Sequence, residues 1–210
     1  TVQLMTSGRE LLRPGEGAPD RGQIIDGNTV ALSYAVQSIG CSAMSSPVMP
    51  DDHQATLEAV RGALTADVVI TTGGVSVGQH DHVRGAIEAA CPGGLSFWKV
   101  AVKPGKPLVF AQTDSCLIFG LPGNPVSALV TFELFVRPAL LKLAGHGKCL
   151  RATEQAVLVN PLPRGGRREE YLRASCWREG GETFVDTRRS QSSGALSSIA
   201  GADALVIVPP

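Results

Sequence analysis

Short apolar runs alternate with amphipathic stretches along the first two-thirds of the chain. VQLMTS (2–7) and DVVITTG (67–73) read as strands, the second a β-branched run of the kind buried on both faces of a parallel sheet. NTVALSYAVQSIG (28–40) reads as a helix stopped at Gly40. DDHQATLEAVRGAL (51–64) reads as another, opening on acids and carrying Leu57, Val60 and Leu64 as a stripe. SAMSSPVM (42–49) predicts a weaker strand, because Pro47 removes a donor. A helix near 82–90, strands near 95–102 and 107–112, and CLIFG (116–120) continue the alternation. Asn124–Pro125 predicts the start of the last long helix, an N-cap residue followed by proline at the first helical position. Leu129, Phe132, Val136, Leu140 and Leu143 form its expected apolar stripe, and Pro138 predicts a kink.

Strand–helix alternation with short connections predicts an α/β three-layer sandwich around a mostly parallel sheet. After Gly145 the character changes. AVLVNPLP, EYLRASCW, ETFVDTRR and ALVIVPP are short strand candidates separated by Gly, Pro, Ser and Arg. They predict a small all-β domain, a five-stranded barrel. The boundary is expected between residues 145 and 154, giving domains 1–147 and 148–210.

Composition adds limits rather than detail. With 210 residues, 43% hydrophobic and 18% charged, the chain has enough apolar matter for a proper core. Its formal net charge of zero gives no overall attraction to nucleic acid or an anionic membrane, so an anion site must be local. No apolar run reaches the roughly 18–20 residues that cross a bilayer, and the first residues lack a signal-peptide pattern. The five cysteines are scattered without CxxC spacing, which argues against a disulfide framework or structural zinc. Free thiols in a reducing cytoplasm are the expectation.

Three loops carry candidate chemistry. In TTGGVSVGQHD (71–81), Gly73 and Gly74 let the backbone bend away from a strand end and turn N–H groups toward an anion, while Ser76 adds a hydroxyl and Asp81 a carboxylate. Ligands of open α/β sheets collect at such carboxyl ends. The spacing is neither a Walker loop nor a dinucleotide fingerprint, and an ordinary turn with Asp81 as a cap explains it equally well. In GLPGNPVS (120–127), Pro122 and Pro125 stiffen a turn into a helix whose first turn holds Ser127. A plain capped turn has the same claim there. The third is KVAVKPGKPLVF (99–110), which holds three of the chain's five lysines. Period-two alternation sends Lys99 and Lys103 to one face, and Pro104 and Pro107 stiffen the loop carrying Lys106. Three ammonium groups on stiff backbone suit a shared, multiply charged oxyanion better than a solvated hairpin whose lysines guard an edge strand.

Other signals are weaker. His80 and His82 around Asp81 invite a metal reading, but no further ligand spacing supports one. Glu10 and Asp51–Asp52 follow strand candidates, where they face the same rim or serve as caps. Arg167 or Arg168 in RGGRREEY suits an anion or a solvated turn, and SQSSGALSS (190–198) reads as a flexible polar loop and only weakly as an oxyanion-binding one.

Six motifs in order, TSGREL, QIIDGN, PDD, TTGGVSVGQHDHV, FWKVAVKPGKPLVF and GLPGNPVSALVTFELFVRPAL, resemble MoeA-type molybdopterin molybdenumtransferases, whose catalytic module also occurs in gephyrin. The resemblance covers most of residues 4–145. It extends more loosely to the family's small β-barrel domain through REEYLR, QSSG and ADALVIVPP. It implies insertion of molybdate into adenylylated molybdopterin with release of AMP, with Mg²⁺ as cofactor, in a cytoplasmic homodimer that meets other molybdenum-cofactor synthesis proteins. It maps substrate and molybdate contacts onto Gly73, Gly74, Ser76, Lys99, Lys103, Lys106, Pro122, Pro125, Ser127, Arg168 and Ser197. Glu10, Asp51 and Asp81 match its catalytic acids, with Asp51 and Asp81 as metal ligands. Gln79 stands where relatives commonly carry an acid. The family's N-terminal domains are not recognisable in these residues, so the resemblance is to its two C-terminal domains. Two other functions fit the same α/β pattern: a molybdopterin adenylyltransferase, against which KPGKP, PGNP and the appended β region stand, and a ligand-binding scaffold without turnover.

Overall fold

The computed structural model of the chain describes residues 1–49, 52–75, 82–162 and 166–210. The first region runs β1 (Val2–Thr6), β2 (Leu11–Leu12), β3 (Ile24–Ile25), α1 (Gly27–Gln37), β4 (Ala43–Ser45), α2 (His53–Ala63), β5 (Val68–Thr72), α3 (His82–Ala90), β6 (Leu95–Trp98), β7 (Val102–Lys103), β8 (Val109–Gln112) and β9 (Leu117–Leu121). One long helix closes it, as α4 (Pro125–Thr131), a π turn (Phe132–Val136) and α5 (Arg137–Leu143). The second region holds β10 (Val157–Leu158), β11 (Glu169–Glu179), β12 (Glu182–Asp186), α6 (Leu196–Ala200) and β13 (Ala204–Val208).

Six strands of the first region form one sheet, in the order β4-β1-β5-β9-β8-β6. The first four are mutually parallel, and β8 runs antiparallel to both of its neighbours, β9 and β6. All five residues of β5 are buried, because helices cover both faces. Leu57 and Val60 of α2 and Val83 and Ile87 of α3 pack on one face with Met5, Val69 and Ile118. Leu32 and Val36 of α1, with Phe132, Val136 and Leu140, pack on the other with Leu4, Ile70 and Phe119. This is the expected three-layer α/β architecture. Asp26 and Asp52 cap α1 and α2, each carboxylate accepting a backbone N–H from Thr29 and Ala55 respectively.

Three local expectations need correction. The strand near Pro47 shrinks to β4, with a single further bridge from Met49 to Ser7. The irregularity expected at Pro138 takes the form of the π turn just before it, since proline has no N–H to continue the ladder. The extra residue moves the stripe on to Leu140 and Leu141, leaving Leu143 57% exposed.

The third correction bears on the site. The strand expected over 95–102 ends at Trp98, and Lys99 has φ +90°, so Lys99 and Lys103 do not alternate along one strand. Ala101 accepts a hydrogen bond from Glu169, and β7 pairs in parallel with β11, placing Val102 beside Glu169 and Lys103 beside Glu170. The segment leaves the first sheet and joins the second. That second sheet has the order β10-β12-β11-β13, with β7 as its fifth strand. No ladder among the described residues joins β10 to β13. Val102, Val126, Val130 and Tyr171 form a small core where the two sheets meet.

Candidate active site

Two neighbouring surfaces gather most of the described residues singled out from the sequence. The first lies at the carboxyl ends of β1, β5 and β9. Gly73 donates to Leu121, and Ser7 donates to Thr72, so three strand ends are laced together there. A Cβ on Gly73 would stand 2.5 Å from the Ser7 carbonyl oxygen, and one on Gly74 2.5 Å from a Val83 methyl. Both glycines have positive φ, so backbone approach and conformation each require them. A Cβ on Gly123 would stand 3.5 Å from the Gly73 Cα, and the Asn28 amide holds the Gly123 carbonyl at 2.7 Å. Glu10 is exposed in the turn between β1 and β2, its carboxylate folded against Gly8. Pro122 is buried in the turn and Pro125 opens α4. Asp51, Ser76 and Asp81, with His80, lie outside the described residues.

The second surface is a cavity of about 770 Å³ where β7, the KPGKP loop, α4 and the second sheet meet. Of the expected residues, Lys103, Lys106, Ser127 and Arg168 line it. Pro104, Gly105 and Pro107 supply its wall from the stiff loop. Gly105 lets that loop lie on α4, since a Cβ there would stand 2.4 Å from the Thr131 methyl. The Lys103 ammonium is paired with both oxygens of Glu170 at 3.1 Å, a cross-strand pair set by the β7–β11 register. Arg168 donates to the Val102 carbonyl. Lys99 and Ser197 do not line the cavity. Lys99 lies over the Trp98 ring, and Ser197 is exposed on α6 beside the buried Ser198.

Three polar lining residues that sequence reasoning did not single out are Arg173, Gln191 and Ser193. Arg173 is 1% exposed, yet no carboxylate pairs with it among the described residues. One terminal nitrogen donates to the carbonyls of Ser190 and Ser192 at 3.2 Å, while its Nε is buried without a partner among the described residues. Burial, then the neighbouring charge of Arg189, push this guanidinium below its ordinary range. Gln191 clamps the Arg173 backbone, accepting from its N–H at 3.1 Å and donating to its carbonyl at 2.9 Å. Ser193 is docked to the helix start, its carbonyl accepting from Val126 N–H and its hydroxyl from the Asn124 amide. The signal for Arg173 was EYLRAS, an arginine inside an alternating apolar strand, while Gln191 and Ser193 lie in the QSSG segment.

Among the described residues the cavity wall therefore carries four cationic side chains, Lys103, Lys106, Arg168 and Arg173, against the single carboxylate of Glu170. A buried guanidinium with unused donors is costly unless an anion completes it. Serine hydroxyls and a planar guanidinium fork suit a small, multiply charged oxyanion. Among the described residues no group of three or more His, Cys, Asp or Glu forms a metal-ligand set.

Fold and site define a class: an α/β protein whose parallel-strand rim adjoins a cation-lined cavity shared with a second, β-rich region. Residues 3–142 match the family described as a probable molybdopterin binding domain, and residues 155–210 match the MoeA C-terminal region, domain IV. The chain belongs to the molybdopterin-binding-domain family. It is 37% identical over 215 residues to the molybdenum cofactor synthesis protein cinnamon of Drosophila melanogaster, covering 99% of this chain and 35% of that protein. A molybdopterin molybdenumtransferase of Haemophilus influenzae is 32% identical over 210 residues, covering 99% of this chain and 51% of that one. Among solved structures, a molybdopterin biosynthesis MoeA protein from Pyrococcus horikosii superposes with TM-score 0.80 at 28% identity, over 99% of this chain and 49% of that one. The chain thus spans between about a third and about half of the length of these relatives.

Proposed function

We propose that this chain holds molybdate beside adenylylated molybdopterin and carries the insertion of molybdenum with release of AMP. One observation carries the reading: a cavity with a surplus of cations that includes a buried, incompletely bonded arginine. Molybdate is a dianion with four oxygens. Lys106, Arg168 and Arg173 supply its counter-charge, Lys103 shares its charge with Glu170, and Ser127 and Ser193 supply hydroxyls. The adjoining rim of Gly73, Gly74, Pro122 and Pro125 takes the phosphate-bearing substrate, with Ser76 on the same loop. Two anions repel each other, and fixed cations on stiff backbone offset that repulsion in advance of reaction.

Glu10, Asp51 and Asp81 are the proposed acids, and Asp51 and Asp81 would hold Mg²⁺, which supplies electrostatic stabilisation of developing phosphate charge. No step here depends on it. Arg168 belongs to the molybdate site in this reading, and Ser193 takes the place that the resemblance gave to Ser197. We further propose a homodimer in the cytoplasm, contact with other molybdenum-cofactor synthesis proteins, and a domain boundary between residues 147 and 148. Molybdate-dependent AMP release from adenylylated molybdopterin by the full-length protein is the test. AMP transfer from ATP onto molybdopterin would favour the adenylyltransferase instead, and binding without release a scaffold.

A further inference from the structure

Trp98 sits where β6 ends, partly buried, and its indole N–H donates to the Val75 carbonyl at 3.1 Å. Val75 follows the Gly73–Gly74 turn directly, so the ring is fixed to the strand-end rim rather than to the cavity. Two cations lie over this ring, the Lys99 ammonium at 3.7 Å from its centroid and the Arg84 guanidinium at 3.8 Å. Arg84 is also paired with Glu88 on its own helix, at 2.8 Å. Lys99 has no such pair among the described residues. It is also, among those residues, the one non-glycine with positive φ. That backbone conformation departs from the strand line that leads to Lys103, and the departure is held by two hydrogen bonds, Lys99 N–H to Leu108 and Val100 N–H to Lys106. A non-glycine residue in this region of φ costs about 1–3 kcal/mol and persists where its surroundings impose it.

We propose that Trp98 is a positioning residue that seats the Lys99 ammonium at the glycine rim, and that the three lysines serve two different anions. Lys103 and Lys106 serve the oxyanion in the cavity. Lys99 serves the pyrophosphate of the nucleotide-bearing substrate at the carboxyl ends of the strands. The inference rests on the transferase reading for its substrate and on the cation–π geometry for its mechanism. The face of the indole ring is negative, so it fixes the ammonium without neutralising it, whereas a carboxylate partner would cancel the charge offered to a phosphate. Glu170 makes that contrast visible at Lys103.

The test uses the full-length protein and two independent readouts. In steady-state kinetics, Trp98→Leu should raise KM for adenylylated molybdopterin roughly two- to fivefold, the size expected for losing one exposed cation–π contact. KM for molybdate should stay put. Trp98→Tyr, which keeps an aromatic face, should recover most of the loss, and Trp98→Leu should add nothing in a Lys99→Met background. An equal rise in both KM values, or a Trp98→Leu effect that persists without Lys99, would overturn the assignment. The second readout needs no turnover: acetylation of Lys99, followed by mass spectrometry, should be faster in Trp98→Leu than in the parent or Trp98→Tyr. Equal rates in all three refute the seat. If the parent releases no AMP with molybdate, the transferase reading fails, while the acetylation rates still decide whether Trp98 holds Lys99.

Discussion

At the carboxyl ends of β1, β5 and β9 the chain shapes its surface with backbone; where the two sheets meet it does so with charge. The rim depends on Gly73 and Gly74, where any side chain would strike the Ser7 carbonyl or Val83. The cavity wall collects lysine and arginine, three of them tethered by a neighbour: Lys103 by Glu170, Arg168 by Val102, Arg173 by Ser190 and Ser192. The two materials fail differently. Errors in the rim should register as lost stability, because no nearby backbone can move aside. Errors in the cavity should register as lost binding in a chain that stays folded.

The largest effect is expected at the rim. Gly73→Ala should cost about 2–4 kcal/mol in denaturant unfolding, combining its φ of +80° with a 2.5 Å approach to backbone oxygen. Gly93→Ala shares the conformation, at φ +74°, but meets nothing within 4 Å. It should therefore lose only about 1 kcal/mol. Equal losses in the two variants would remove close packing from the account of the rim.

In the small core with Val102, Val126 and Val130, Tyr171 is 9% exposed and donates to Glu169. Burial first, then the hydrogen bond to Glu169 and its charge, push the phenol up to about 12. The folded chain keeps a proton that the unfolded chain releases near pH 10, so this group's stabilisation is intact below pH 10 and is lost as pH rises toward 12. Tyr171→Phe should remove about 2 kcal/mol of that alkaline loss, seen as a shallower fall of Tm between pH 10 and 12. An unchanged alkaline limb would show that the phenol titrates normally.

Within the cavity, Arg173→Gln should weaken molybdate binding roughly tenfold or more by calorimetry, the scale of a lost charge-assisted contact. Full affinity in that variant would place the anion elsewhere. Lys103→Ala is the mildest change for folding. Its pair with Glu170 is half exposed on the lysine side, at 53%, so stability should move by less than about 1 kcal/mol. The concentration of molybdate needed for saturation should nevertheless rise several-fold, since Glu170 is left facing the anion. Unchanged molybdate dependence would take Lys103 out of the site.

Local signals carried most of the first region. DVVITT reads as a doubly buried strand because its pattern has no polar face to offer solvent, and Asn124–Pro125 marks a helix start through chemistry confined to two residues. The cavity was less legible, since long-range pairing builds it. Nothing near Lys99 announces that the chain will change sheets before Val102, because the partner that draws it away, Glu169, lies more than sixty residues on. Arg173 sits in an alternating strand where a charged residue suggests solvent, and only the packing of the second sheet buries it. Within SQSSGALSS the serines look interchangeable, and it is the contacts of Asn124 and Val126 that bring Ser193 rather than Ser197 to the cavity wall.

Residues 98–103 belong to both sheets, with Trp98 paired to Val109 in one and Lys103 to Glu170 in the other. This short tether makes the gap between the Lys99 ammonium and the Lys103–Lys106 pair a direct gauge of how the two halves are tilted. A change of a few degrees at that joint would alter the separation of the charges before any single side chain had turned.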